Sequence, residues 1–433
     1  MERATGPDPL SLSERERLLL APRPRSLLPI FPDSSKPKRL PLASEVRAVD
    51  VGDRPAYAVW EITLRCDLSC RHCGSRAGTA RPDELSLAEA LDLVRQLAEL
   101  GTREVTLIGG EVHLYPGWTE VIRAIRAHGM QASLVTGGRQ WTDECAEQAR
   151  AAGLQSVGVS IDGDAVTHDR LRGLEGAHDA ALAALRATRA AGLALSINTQ
   201  VNRLSLPHLT SVFEVARSSG AHGWQIQLTV PAGRAADEPE VILQPYDLLE
   251  LFPLLAQLKE ACDAERIKFL AGSNIGYFGP LDHVIRQISP CGHSVSCPAG
   301  RLGIGIEANG DIKGCPSLPS DQWVGGNLRE HTLRDIWERS AALRYNRDRT
   351  TRDLWGYCRT CYYADECRAG CTWMSTTLFG RPGNNPYCHH RALEHARLGQ
   401  RERVELIEAP PGGSFDHGRW QLHLEEMEDP CPS

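Results

Sequence analysis

From Tyr57 to about Val230 the chain alternates short apolar runs with longer amphipathic stretches, at intervals of about 25–35 residues. The runs Ala58–Thr63, Glu104–Ile108, Gln131–Thr136, Ser156–Ile161, Ala194–Val201 and Gly223–Leu228 have strand length. Between them, Leu87–Leu100, Trp118–His128, Asp143–Ala152, His178–Ala191 and Leu206–Ser219 carry the helical pattern of apolar positions. Ser86 with Glu89 three residues on predicts a capping box. Gly101, Gly129, Gly153, Gly192 and Gly220 follow helices where a left-handed C-cap is wanted. Strand–helix alternation predicts a parallel α/β sheet. Six strands fall short of the eight of a closed barrel, so the expected fold is a partial (β/α)6 TIM-like barrel, open on one side.

The flanks read differently. Residues 1–55 are rich in Pro, Arg and Ser and predict an N-terminal arm, partly disordered. The barrel core is expected over 56–235, and a helical connector containing Pro245–Glu265 over 236–290. A small cysteine-rich domain follows over 291–398. After Leu398 the text turns polar and Pro/Gly-rich, which predicts a mobile tail over 399–433 with Trp420–Glu426 as its structured candidate.

Composition narrows the function. The net charge of −7, from 48 basic and 55 acidic residues, argues against nucleic acid as the main partner. Met1–Pro9 lacks a basic region followed by an apolar one, and no apolar run approaches the ~18 residues of a membrane span. A cytoplasmic location is expected. There, fourteen cysteines call for metal ligation or redox chemistry rather than disulfides. Cys145, Cys262 and Cys431 stand alone and read as small buried hydrophobes.

Cys66, Cys70 and Cys73 lie in the segment that follows the first strand, where parallel barrels place their functional loops. Three thiolates on a 4Fe–4S cube leave one iron open to a small molecule. They suit a closed structural zinc site poorly, since a fourth ligand is missing nearby. The CxxxCxxC spacing after the first barrel strand closely resembles the signature of radical S-adenosylmethionine (SAM) enzymes. That resemblance implies an iron-bound SAM whose reductive cleavage yields a 5′-deoxyadenosyl radical. It makes Gly109, Gly110 and Glu111 a GGE motif for the SAM ammonium, and Arg172 a candidate for the SAM carboxylate. Thr136 and Ser160, at the ends of strands three and four, and Asn198, Gln200 and Gln227 on strands five and six are expected to face the same cavity. His72, where relatives often carry an aromatic residue, is expected to pack over the adenine. No general base is identifiable; His113, Tyr115, Asp162 and Glu111 lie near strand ends.

The second region runs Cys297, Gly310, Cys315, Cys358, Cys361, Cys367, Cys371 and Cys388, with Cys291 six residues upstream. This pattern resembles the SPASM domain that extends radical SAM maturases of peptides and proteins. The resemblance implies two auxiliary clusters, making three 4Fe–4S clusters in all. The inner one would use Cys291, Cys297, Cys315 and Cys371, and the outer one Cys358, Cys361, Cys367 and Cys388. The Asn309-Gly310 turn predicts a hairpin of Leu302–Glu307 with Asp311–Gly314.

By the same resemblance the expected substrate is a ribosomally made precursor peptide, oxidised, crosslinked through a thioether or carbon–carbon bond, or epimerised. Flavodoxin or ferredoxin is the expected electron donor. The 55 residues before the barrel look too short for the leader-binding domain of many maturases, so a separate leader-binding protein or the arm itself is expected to serve. Sulfatase-maturing members carry an aspartate after the cysteine matching Cys315, where this chain has Pro316. Two alternatives stand beside this reading. One is a dehydrogenase for a small molecule or a sulfatase-type protein; the other is a zinc-stapled scaffold that only binds peptides.

Overall fold

A computed structural model describes residues 41–276, 278–287 and 296–427. Cys291, Cys431 and residues 1–40 of the expected arm lie outside the described residues. The first strands are β1 (Tyr57–Thr63), β2 (Glu104–Gly109), β3 (Gln131–Thr136), β4 (Ser156–Ser160), β5 (Ala194–Val201) and β6 (Gly223–Leu228). They pair in parallel in chain order. On β1 the even positions Ala58, Trp60 and Ile62 are fully buried under the outer helices, which leaves the odd positions for the barrel interior. The helices are α1 (Leu87–Leu100), α2 (Trp118–Ala127), α3 (Asp143–Ala152), α4 (Ala165–Arg172), α5 (Ala177–Ala190) and α6 (Leu209–Ser219). The Ser86–Glu89 capping box opens α1, and Gly101 closes it in the left-handed conformation. Helix α4 has no counterpart in the sequence reading; its eight residues are strongly polar and carry little apolar periodicity.

Two features extend the expected barrel. The stretch read as a helical connector contains α7 (Leu248–Ala264) and also a seventh parallel strand, β7 (Lys268–Ala271), paired with β6. Four residues are too few to show a period of two. On the other edge, β8 (Gly303–Ile306) pairs in parallel with β1, and β9 (Asp311–Lys313) and β10 (Gly326–Asn327) continue antiparallel. The expected cysteine-region hairpin exists and is an extension of the barrel sheet itself. Helices α8 (Leu333–Arg339) and α9 (Ala341–Asp348) follow, then α10 (Thr372–Phe379) and α11 (His389–Arg397). Asp50, buried in the short helix Ala48–Gly52, pairs with Arg347 of α9 at 3.0 Å and Arg344 at 2.9 Å.

The expected structured candidate Trp420–Glu426 is a strand, β12 (Arg419–Glu426), but the rest of the expected mobile tail, as far as residue 427, is ordered with it: β12 pairs with β11 (Gln400–Glu408) in a two-stranded antiparallel hairpin. Its Val404 and Trp420 join the hydrophobic core, and the Gln244 side chain hydrogen-bonds both backbone groups of Val404. The apolar anchors are few and far apart in sequence, which is why composition alone suggested a loose segment.

Candidate functional site

The cysteine loop lies at the C-terminal ends of the strands. The end of β2 runs alongside the chain that leads from β1: Gly110 N–H donates to the Thr63 carbonyl at 2.7 Å and Glu111 N–H to the Arg65 carbonyl at 2.8 Å. Gly109 and Gly110 are required by this approach, because a Cβ on either would fall 2.2 or 2.0 Å from those carbonyl oxygens. The glycines therefore admit the neighbouring backbone and thereby set Glu111 beside Cys66. Arginines hold the loop from outside. Arg234, just after β6, donates to the Cys70 carbonyl at 2.7 Å and to the Ala77 carbonyl at 3.1 Å. No motif in the sequence marked Arg234.

A cavity of about 180 Å³ opens here, lined by the three cysteines, Glu111, Thr136, Ser160, Arg172, Gln200 and Arg234. Asn198 and Gln227, expected in the same cavity, are not in its lining. Asn198 lies against Gly158, and Gln227 against Gly272. The cavity is centred over β1–β4, so alternation along a strand put the right face inward without saying how far the cavity extends.

Burial pushes the Glu111 carboxyl up to about 7, although Thr136 Oγ1 donates to it at 2.5 Å and Gly137 N–H at 2.7 Å. A cationic group entering the cavity would restore its charge. Arg172, fully enclosed, sits 2.6 Å from Asp162 and 3.7 Å from Cys70 Sγ. Burial opposes the charge of Asp162, yet the Arg172 guanidinium, with the Gln200 N–H donating at 2.9 Å, holds its carboxyl below the ordinary range. This commits Asp162 to an ion pair and removes it from the general-base candidates. Tyr115 is also committed, donating to the Leu85 carbonyl at 2.8 Å. Burial lowers His72 to about 4, so it lines the cavity as a neutral ring. His113 stands 3.7 Å from Glu111, outside the cavity lining.

Thiols must be deprotonated to ligate metal, yet burial raises Cys66 to about 12, Cys315 to about 11 and Cys388 to about 12. Converging buried thiols are costly unless a metal neutralises them. Backbone N–H groups already point at the sulfurs: Leu68 at Cys66, Ala77 at Cys73 and Asn385 at Cys358, each at 3.4 Å. This donor set fits iron–sulfur clusters, whose potentials respond to such bonds. In the second region two sets form. Cys297 and Cys315 lie near enough to Cys371 to raise its thiol further. Cys358, Cys361, Cys367 and Cys388 line one pocket. Among the described residues, the only potential ligand atoms grouped within 4.8 Å of one another are those of Cys66, Asp67 and Glu111. The lone Cys262 is buried in the core and Cys145 is half-buried.

Comparison with known proteins agrees with this geometry. Residues 60–208 match the radical SAM superfamily, and residues 297–362 match the SPASM iron–sulfur cluster-binding domain. The chain is 32% identical to an AdoMet-dependent heme synthase of Methanosarcina barkeri, over 78% of this chain and 97% of that one. It is 29% identical to the mycofactocin maturase MftC of Mycobacterium tuberculosis, over 78% and 83%. Streptococcus suis SuiB, solved with its precursor peptide SuiA, shares the fold at a TM-score of 0.60 and 16% identity, over 78% of this chain and 75% of that one.

Proposed function

We propose peptide modification as the reaction of this chain, which belongs to the radical SAM superfamily and carries a SPASM iron–sulfur cluster-binding domain. One observation carries the reading: three thiols and a buried carboxylate share a cavity at the barrel mouth, with two further thiol sets in the adjoining domain. Cys66, Cys70 and Cys73 would hold the SAM-binding 4Fe–4S cluster. Cys297, Cys315 and Cys371, with Cys291, would hold an inner auxiliary cluster; Cys358, Cys361, Cys367 and Cys388 would hold an outer one. Once bound and reduced, the first cluster with SAM supplies a 5′-deoxyadenosyl radical able to take a hydrogen atom from the substrate.

The chain's own residues prepare that event. Glu111, oriented by Thr136 and the Gly137 N–H, receives the SAM ammonium. Arg172 keeps its charge through Asp162 and presents it to the SAM carboxylate, while Ser160 and neutral His72 line the adenosyl side. Arg234 fixes the loop that carries the thiols.

A ribosomally made peptide is the favoured substrate because of the likeness to a maturase and the fold shared with a peptide-bound enzyme. Pro316, in place of an aspartate, speaks against sulfatase maturation. A flavodoxin or ferredoxin would supply electrons, and a separate protein would present the leader. A second reading, oxidation of a heme-related small molecule, draws on the heme synthase at 32% identity. The test is anaerobic reconstitution, with iron counting and incubation with SAM, reductant and the short peptides encoded beside the gene. About twelve irons per chain, 5′-deoxyadenosine and a peptide mass change are expected. Zinc in place of iron defeats both enzyme readings. Cleavage coupled only to a small molecule transfers the case to the second.

A further inference from the structure

The tip of the C-terminal hairpin reaches the cysteine loop. Phe415 N–H donates to the Gly74 carbonyl and Ser414 Oγ to the Ser75 carbonyl, each at 2.9 Å, directly after Cys73. Arg76 donates to Asp416 at 3.0 Å and to the Gly233 carbonyl at 3.1 Å, while Gly233 N–H donates to the Asp416 carbonyl at 2.8 Å. The cysteine loop, the segment after β6 and the hairpin tip are thus bonded to one another at the cavity's rim. The approach is close: a Cβ at Gly233 would fall 2.4 Å from the Cys73 carbonyl oxygen.

Phe415 is the unusual residue in this junction. It is only 7% exposed, yet it lies outside the hydrophobic core. On one side is Gly74, where a methyl group would stand 3.8 Å from the ring; on the other is the Lys313 ammonium, 4.1 Å from the ring centre. Its φ of +55° is left-handed backbone, which strains a bulky side chain. The strain is held by Asp416, whose carboxylate accepts the Gly413 N–H at 2.8 Å to close the turn. Hydrophobic burial alone would not choose an ammonium and bare backbone as neighbours. Strain maintained against a residue that lines a ligand cavity, as Gly74 does, is characteristic of working parts of a site.

What the ring covers supports this. Lys313 pairs with Glu307 at 2.6 Å, and Arg81 bridges Glu307 at 3.5 Å and Glu61 at 3.1 Å. Arg81 also reaches Ser414 Oγ at 3.3 Å. Glu61 and Glu307 each follow the last paired positions of β1 and β8, Trp60 and Ile306. Gly305 on β8 packs on the Cys315–Pro316 backbone. The charged quartet therefore spans from the strand that leads into the first cysteine loop to the hairpin that carries Cys315.

We propose that the hairpin tip braces the rim of the reaction chamber from behind its lining, with Phe415 sealing the gap between the first cysteine loop and the inner cysteine set against soluble reductant and small hydrogen donors. This rests on the radical SAM reading above. A primary carbon radical takes hydrogen from any C–H or S–H donor within reach and is quenched by soluble reductant, so exclusion of such molecules decides whether cleavage is productive.

Phe415→Gly is the informative change, because glycine adopts this φ freely and the backbone turn can persist without the ring. In the reconstituted full-length enzyme with dithionite and SAM but no substrate, it should raise 5′-deoxyadenosine release at least threefold. Oxygen should bleach the SAM-site cluster faster, and amides 73–78 should exchange hydrogen faster, at unchanged iron content. Phe415→Tyr should restore wild-type values, and Phe415→Leu should fall between. Wild-type rates in Phe415→Gly, or in Phe415→Leu should the glycine variant lose iron, would overturn the proposal. A wild-type enzyme that cleaves no SAM would instead defeat the reading beneath it.

Discussion

The two cysteine regions solve one problem in opposite ways. At the barrel mouth, three thiols arrive on a single loop, and the surrounding frame is a finished parallel sheet that owes them nothing. In the second region, the thiols are spread from Cys297 to Cys388, and little regular structure joins them: a three-stranded extension of the sheet and several short helices. Cys371 illustrates the contrast. It leaves neighbours Cys367 and Cys361 to join Cys297 and Cys315, and it serves as N-cap of α10. Convergence of the thiols is therefore a local matter in the first region and part of the architecture in the second.

Cys70→Ala should break the comparison most cleanly. It is expected to abolish 5′-deoxyadenosine formation while iron falls only from about twelve to about eight per chain. Retained SAM cleavage would refute the ligand assignment. Cys371→Ala should be next: four irons are lost, and the thermal midpoint falls further than for Cys70→Ala, because a metal staple is removed from a small domain. Equal midpoints for the two variants would erase the contrast. Third, Asp50→Asn should destabilise the second region by about 3 kcal/mol, since it strands the enclosed Arg347. Urea unfolding followed by tryptophan fluorescence measures it, and SAM binding should survive.

The smallest effect concerns the bridge between the regions. Burial pushes the Glu61 carboxyl up to about 7, with Arg81 pulling the other way. A carboxyl raised in the folded state stabilises most below its unfolded value of about 4.3 and loses that contribution as pH rises toward 7. The melting temperature of the wild type should therefore decline between about pH 4.5 and 7 and level off above, and Glu61→Gln should flatten the slope. Parallel slopes would mean that Glu61 stays ionised throughout.

Both regions were legible where the signal was local. The first six strands match their expected spans to within one residue at either end, because apolar runs between turn residues need no partner to be recognised. The cysteine loop was readable from spacing, and Glu111 from the resemblance of Gly109-Gly110-Glu111 to the family's motif. Arg234, helix α4 and the docked hairpin were not: each acts through residues more than ninety positions away, or on a face with no periodic mark.

No helix among the described residues is long and apolar enough to cross a membrane. The order of residues by itself determined the alternating sheet, the radical SAM signature and the inventory of thiols, since period, caps and ligand spacing are short-range properties. Only the tertiary structure decided which thiols meet, which polar side chains reach the cavity, and that the polar last segment folds back onto the cysteine loop. Those outcomes depend on distances across the fold, which the pattern along the chain does not encode.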